Sequence, residues 1–167
     1  MTKKKINQRY PIVDKSPETI ERLFRGPFLY LGSTMLASKE LFKSVGMFNE
    51  NMRVYEDFEW QIRFAEKSGV QIICSDKPYV YIERSYSIRN VEDLQICYSE
   101  LKNTMLSQVQ DFDVRIKYVK SFHHLDLAKA YLLEHKSINK FISNILKSFL
   151  CVPRLSIHTV VFWKNKG

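Results

Sequence analysis

The apolar residues of the second half of the chain recur at helical spacing. Residues 94–109 carry an apolar side chain at every third or fourth position, which predicts a helix of about 18 residues, and residues 113–134 predict another. The most regular apolar series is Ile138, Phe141, Ile142, Ile145, Leu146, Phe149 and Leu150. Lysines lie opposite this series, so it predicts a basic amphipathic helix that Pro153 ends. Its apolar stripe either packs against the domain or a partner helix, or lies in the surface of an anionic membrane.

Two shorter helices are predicted in the first half. Ser38 is suited to cap a helix over Lys39–Val45, with Gly46 as its left-handed terminal residue. A second helix is predicted to begin at the adjacent acids Glu56 and Asp57. It carries apolar residues on two sides, and these are Phe58, Ile62 and Ala65 on one side and Trp60 and Phe64 on the other. Such a helix is expected to lie between two layers of the protein.

Short apolar runs between turn-forming residues indicate strands. Residues 28–37, 70–74 and 79–82 fit this description. Together with the helices they predict a mixed, helix-rich α/β fold, with one unit over residues 1–90 and a helical extension over residues 91–167.

One order of residues in the first unit is more specific than a general α/β pattern. The residues concerned are Val45, Gly46, Phe48, Glu50, Glu56, Asp57 and Arg63. Their order resembles the acceptor-side signature of family-two inverting glycosyltransferases, which have the GT-A fold. Met47 replaces the usual second glycine and Asn49 replaces the usual aspartate. The resemblance covers residues 28–89, about a third of the chain.

The resemblance implies catalytic roles for the two adjacent acids. Asp57 would deprotonate an acceptor hydroxyl, and Glu56 and Arg63 would orient Asp57 or the acceptor. Read from residue types alone, an acidic pair at a helix start is ordinary N-terminal chemistry.

Substrate-binding roles are implied for further residues. Trp60 would stack on a sugar ring or fill core, and Ser33 and Thr34 would lie near the substrate or satisfy local backbone groups. Arg84 would bind the leaving diphosphate, since a guanidinium binds phosphate with two hydrogen bonds, or would be a solvated loop residue.

The donor half of such an enzyme is not recognised in the sequence. Family members bind the nucleotide sugar in an N-terminal portion, with a divalent cation (Mg or Mn) held by an Asp-x-Asp motif. Here Asp111 and Asp113 match the letters but follow the acidic pair instead of preceding it. No metal site is therefore predicted for this chain. The expectation is the acceptor-side C-terminal portion of the enzyme, inactive alone, whose partners are a nucleotide sugar, a saccharide or lipid-linked acceptor and an N-terminal donor-binding half.

Charge bears on partners and location. Residues 1–100 contain 15 Lys and Arg against 14 Asp and Glu, whereas residues 101–167 contain 11 against 4. The basic end suits an anionic membrane surface or an acidic partner, or is simply a solvated face, and no motif that reads nucleic acid is present. An alternative function is therefore a non-catalytic glycosyltransferase-like partner that docks on a membrane or another subunit. A basic N-terminus without an apolar run and three widely spaced cysteines predict a cytoplasmic protein. If the basic helix over residues 138–150 contacts lipid, the protein is expected to be peripheral on the inner face of the membrane.

Overall fold

The fold consists of helices throughout the part of the chain that can be described. A computed structural model describes residues 23–25, 35–67 and 90–153. The helices are α1 (Lys39–Val45), α2 (Glu56–Glu66), α3 (Val91–Gln108), α4 (Phe112–Leu133) and α5 (Ile138–Cys151). All five helices predicted above are confirmed, with ends close to the expected residues.

The predicted α/β fold, as half of a GT-A domain, is wrong. The described residues form five helices and no strand. The predicted strands at 70–74 and 79–82, and most of the one at 28–37, lie outside the described residues. The described end of that last run, residues 35–37, has no regular structure, and Leu36 is fully exposed. A short apolar run does not specify a strand by itself, because a strand also needs a neighbour to pair with.

The larger core cluster lies between α2, α3 and α4. One side of α2 contributes Phe58, Ile62 and Ala65. The members from α3 and α4 are Leu94, Cys97, Leu101, Met105, Val119, Leu127 and Ala130. Burying a large apolar side chain contributes about 1.5–3 kcal/mol, so this cluster is a major source of stability.

A smaller cluster covers the opposite side of α2. Its buried members are Val45, Trp60 and Phe64, and Phe42 and Phe48 pack against them. The prediction that α2 lies between two layers is therefore confirmed.

Helix α5 packs on α4 through polar side chains. Asn144 and Ser148 are buried, and they face His124 and Ser121 of α4. The Ser121 and Ser148 hydroxyls are 2.8 Å apart, and Nδ1 of His124 lies 3.0 Å from Oδ1 of Asn144. As a result, most of the apolar series of α5 is exposed, and only Phe141 and Ile145 are half-buried. None of the helices in the described ranges has both the length and the apolar character needed to cross a bilayer.

We expect the stability of the fold to fall in acid because of His123. This α4 residue is buried, its ring stacks on Tyr98 with centroids 4.1 Å apart, and Nδ1 has no hydrogen-bond partner among the described residues. Burial, followed by the charge of His124, lowers the pKa of His123 to about 3. Because the unfolded chain takes up the proton near pH 6.5, the stability that depends on neutral His123 is fully present above that pH. The free energy of unfolding falls by up to about 1.4 kcal/mol per pH unit as the pH falls toward 3.

Urea unfolding at about pH 7 and about pH 5 measures this effect. A His123→Phe variant should lose less stability between the two pH values than the native chain. A His135→Gln variant is the control, because His135 is exposed. An equal loss in the native chain and in His123→Phe would contradict the assignment.

Candidate functional site

The site begins at the glycine that ends α1. The Gly46 amide donates to the carbonyl of Phe42 at 2.8 Å, and Gly46 has a φ of 93° and a ψ of 164°. Residues with a side chain rarely adopt this conformation. A Cβ at Gly46 would also lie 2.7 Å from Nη1 of Arg63. The backbone conformation therefore favours glycine, and a Cβ at this position would also require the Arg63 guanidinium to shift.

Arg63 joins α2 to the chain that follows α1. Its Nε and Nη2 donate to the two carboxylate oxygens of Glu59 at 2.8 and 2.9 Å. Nη1 donates to the carbonyl of Val45, and Nη2 donates to the carbonyl of Met47 at 2.6 Å. The exposed fraction is 12% for the Arg63 side chain and 4% for that of Glu59. We call Arg63, Glu59 and the carbonyls of Val45 and Met47 the Arg63 network.

The network satisfies groups that would otherwise lack partners. A helix leaves its last carbonyls without intrahelical hydrogen bonds, and Arg63 supplies a donor to the one at Val45. Thr104 of α3 donates to the Glu59 carboxylate at 3.2 Å, which connects the network to the larger core. The bidentate geometry also fixes the direction of the guanidinium.

Trp60 supports the same loop from a neighbouring position on the same side of α2. Its Nε1 donates to the carbonyl of Gly46 at 2.8 Å, and its ring packs against Phe42, Phe48 and Phe64. Only 1% of Trp60 is exposed. Of the two roles considered for Trp60, its position matches core filling, since a buried ring offers no face to a sugar.

The acidic pair lies in the first turn of α2. Glu56 and Asp57 are half-buried, and neither side chain has a hydrogen bond or ion pair with another residue of the described segments. The preceding residue, Tyr55, has a φ of 67°, which is unusual for an aromatic residue. Tyr55 is buried, and its hydroxyl donates to Asp126 of α4 at 3.1 Å. The backbone that leads into the acids is therefore held from α4.

The structure brings together only part of the predicted site. Gly46, Phe48, Trp60 and Arg63 form one contiguous group around the loop, with the two acids at the start of the same helix. The remaining expected substrate-binding residues, Ser33, Thr34 and Arg84, lie outside the described residues.

Two supporting residues, Glu59 and Tyr55, were not singled out from the sequence. Glu59 had a detectable signal, because it lies four positions before Arg63 on a helix, a spacing typical of ion pairs. The left-handed conformation of Tyr55 had no signal in the sequence, because it depends on packing against α4.

The described residues do not fit the divalent cation implied by the resemblance. They contain no group of three or more His, Cys, Asp or Glu side chains that could hold a metal ion. Asp111 adopts a φ of 53°, and its carbonyl accepts from the amides of Val114 and Arg115, so this part of the Asp-x-Asp sequence begins α4.

Comparison of the chain with protein-family models, with curated protein sequences and with solved structures gives no match. The likeness to glycosyltransferases therefore consists of the residue order given above, and the function that it implies is a proposal.

We expect Gly46→Ala to lower the free energy of unfolding by about 1–3 kcal/mol, because alanine is strained at this φ and its Cβ meets Arg63. Urea unfolding measures the change. In an Arg63→Lys background the added loss should be smaller, since the close contact is then relieved. Met47→Ala is the control, because the Met47 side chain is 70% exposed, and it should stay within about 0.5 kcal/mol. Equal stability of Gly46→Ala and the native chain would contradict this account.

Proposed function

We propose that the chain supplies the acceptor-side part of an inverting, nucleotide-sugar-dependent glycosyltransferase, with Asp57 as general base. The observation that carries this proposal is the Arg63 network. It joins the loop and the helix of the predicted signature into one unit, while the two acids at the start of the helix have no hydrogen bond or ion pair with other described residues. This proposed role depends on the loop and on α2, and it does not require a β-sheet.

The reaction is a single displacement. Asp57 accepts the proton of an acceptor hydroxyl, and the oxygen attacks the anomeric carbon of the sugar. The bond between that carbon and the nucleoside diphosphate breaks on the opposite side, and the configuration inverts. A general base of this kind contributes about 10²–10⁴-fold to the rate.

The other residues of the unit have different roles. Glu56, next to Asp57 on the first turn, orients the acceptor or the base. Arg63 and Trp60 are positioning residues, because their polar atoms are used by the loop and by Glu59. Ser33, Thr34 and Arg84 stay predictions, as do the nucleotide sugar and a separate donor-binding half.

A specific observation also favours the alternative of a docking partner, because one face of α5 is apolar and exposed. Docking as such is compatible with the catalytic role, since the acids are on α2 and the exposed face is on α5.

We expect acceptor binding to be detectable before any reaction. Amide NMR spectra of the labelled chain, titrated with a panel of mono- and disaccharides, should show shifts that cluster at residues 48–57. Asp57→Asn should weaken the binding by about tenfold, since a hydrogen bond to a charged group is lost. Asp113→Asn is the control, because Asp113 is likewise an aspartate in the first turn of a helix, away from the proposed site. Shifts located elsewhere, or equal binding by Asp57→Asn, would contradict the proposed site.

We expect the purified chain alone to transfer little or no sugar from nucleotide sugars, because no donor-binding half is recognised in it. Product formation from a panel of donors and acceptors measures this. Transfer that Asp57→Asn reduces by about 10²-fold or more would support the role of Asp57 and disprove the expected inactivity. Transfer that Asp57→Asn leaves unchanged would disprove the role of Asp57.

A further inference from the structure

Helix α5 exposes the apolar side of its surface. The exposed residues on this face are Ile138, Ile142, Leu146, Phe149 and Leu150, and we call them the α5 stripe. Leu146 is 58% exposed and Leu150 is 82% exposed. Single exposed apolar residues are common on proteins, but a continuous row along one helix marks a surface that binds something.

The packing of α5 keeps the stripe directed outward. The buried side of the helix is polar and hydrogen-bonded, through Asn144 to His124 and through Ser148 to Ser121. The Asn144 side-chain amide also donates to the carbonyl of Lys140 at 2.9 Å. Rotating the helix to bury the stripe against α4 would break these bonds and leave buried polar groups unpaired, which is costly.

The charged residues of α5 and of residues 135–137 before it are all basic. Residues 135–153, which include α5, contain three Lys and no Asp or Glu. Lys147 lines the same open depression as Ile142, Leu146 and Leu150. A positive charge therefore lies beside the apolar side chains on one surface.

These features fit an anionic lipid surface better than other occupants. A helix that lies in a bilayer interface buries its apolar face while lysines meet anionic headgroups. A second copy of the chain would bring two basic surfaces together, and like charges repel. A nucleic acid would attract the lysines but would leave the leucines and isoleucines in water.

We propose that the α5 stripe docks the chain on an anionic membrane surface, with α5 lying in the interface. At 14 residues α5 is about 21 Å long, which suits a helix parallel to the membrane. Docking does not depend on sugar transfer, so either activity can fail without the other.

Co-sedimentation with lipid vesicles tests this docking. The full chain should bind vesicles of phosphatidylcholine with phosphatidylglycerol, should bind pure phosphatidylcholine vesicles at least about tenfold more weakly, and should lose binding as salt is added. Equal binding to both types of vesicle, or binding to neither, would overturn the proposal.

Matched variants separate the stripe from the rest of the surface. Leu146→Glu should weaken binding to the anionic vesicles by about tenfold or more, whereas Leu106→Glu on α3 should not, although Leu106 is similarly exposed at 56%. The double change Lys140→Glu and Lys147→Glu should have a comparable effect. Its control is Lys39→Glu with Lys102→Glu, two exposed lysines on α1 and α3. Equal losses in a variant and its control would overturn the proposal.

Two further measurements keep the result interpretable. Circular dichroism should show that every variant retains the helix content of the native chain. If Leu146→Glu does not fold, Leu146→Asn is used in its place. Light scattering should give a monomer. A dimer that Leu146→Glu dissociates would overturn the proposal in favour of a second copy as the occupant.

Discussion

The guanidinium of Arg63 is the group on which the geometry of the candidate site depends. It bonds the Glu59 carboxylate and the carbonyls of Val45 and Met47, and it lies so close to Gly46 that it would have to shift to admit a Cβ there. Removing one partner of a buried ion pair leaves the other charge unsatisfied, at a cost of about 3–5 kcal/mol. The network thus makes the position of the loop and the position of α2 interdependent.

Helices α2 and α5 differ in how their apolar residues are covered. Helix α2 has apolar residues on two sides and is covered on both, by the larger cluster and by the aromatic cluster around Trp60. Helix α5 has one apolar side, yet it buries a polar strip and leaves the apolar side exposed. A chemical role is accordingly proposed for the start of α2, and a docking role for the surface of α5.

The helices could be predicted from the sequence because their signals are local. Ser38 caps α1 through its hydroxyl, which accepts from the Leu41 amide at 3.1 Å, and the apolar spacing set the extents of α3, α4 and α5. The α/β class could not be predicted reliably, because strands depend on partners that are distant in sequence. For the same reason, the sequence did not show what packs against the apolar side of α5.

The candidate site was predictable in composition but not in arrangement. The acids, Gly46 and Arg63 were identified by their order, and α2 was expected to begin at the acids. The sequence did not reveal that Arg63 and Trp60 bond the loop backbone, since main-chain carbonyls are acceptors at every position. The turn at Tyr55 was not predictable either, because its unusual φ is held by a hydrogen bond to Asp126, a residue far along the chain.

The most direct test of this account is amide hydrogen exchange in the native chain and in Arg63→Lys, which keeps the charge but loses the bidentate geometry. If the Arg63 network holds the loop on α2, the amides of Gly46 and Met52 should exchange roughly tenfold faster or more in the variant, while the amides of α4 and α5 keep their protection. Unchanged exchange at Gly46 and Met52 would contradict the account, because the loop would then hold its position without Arg63.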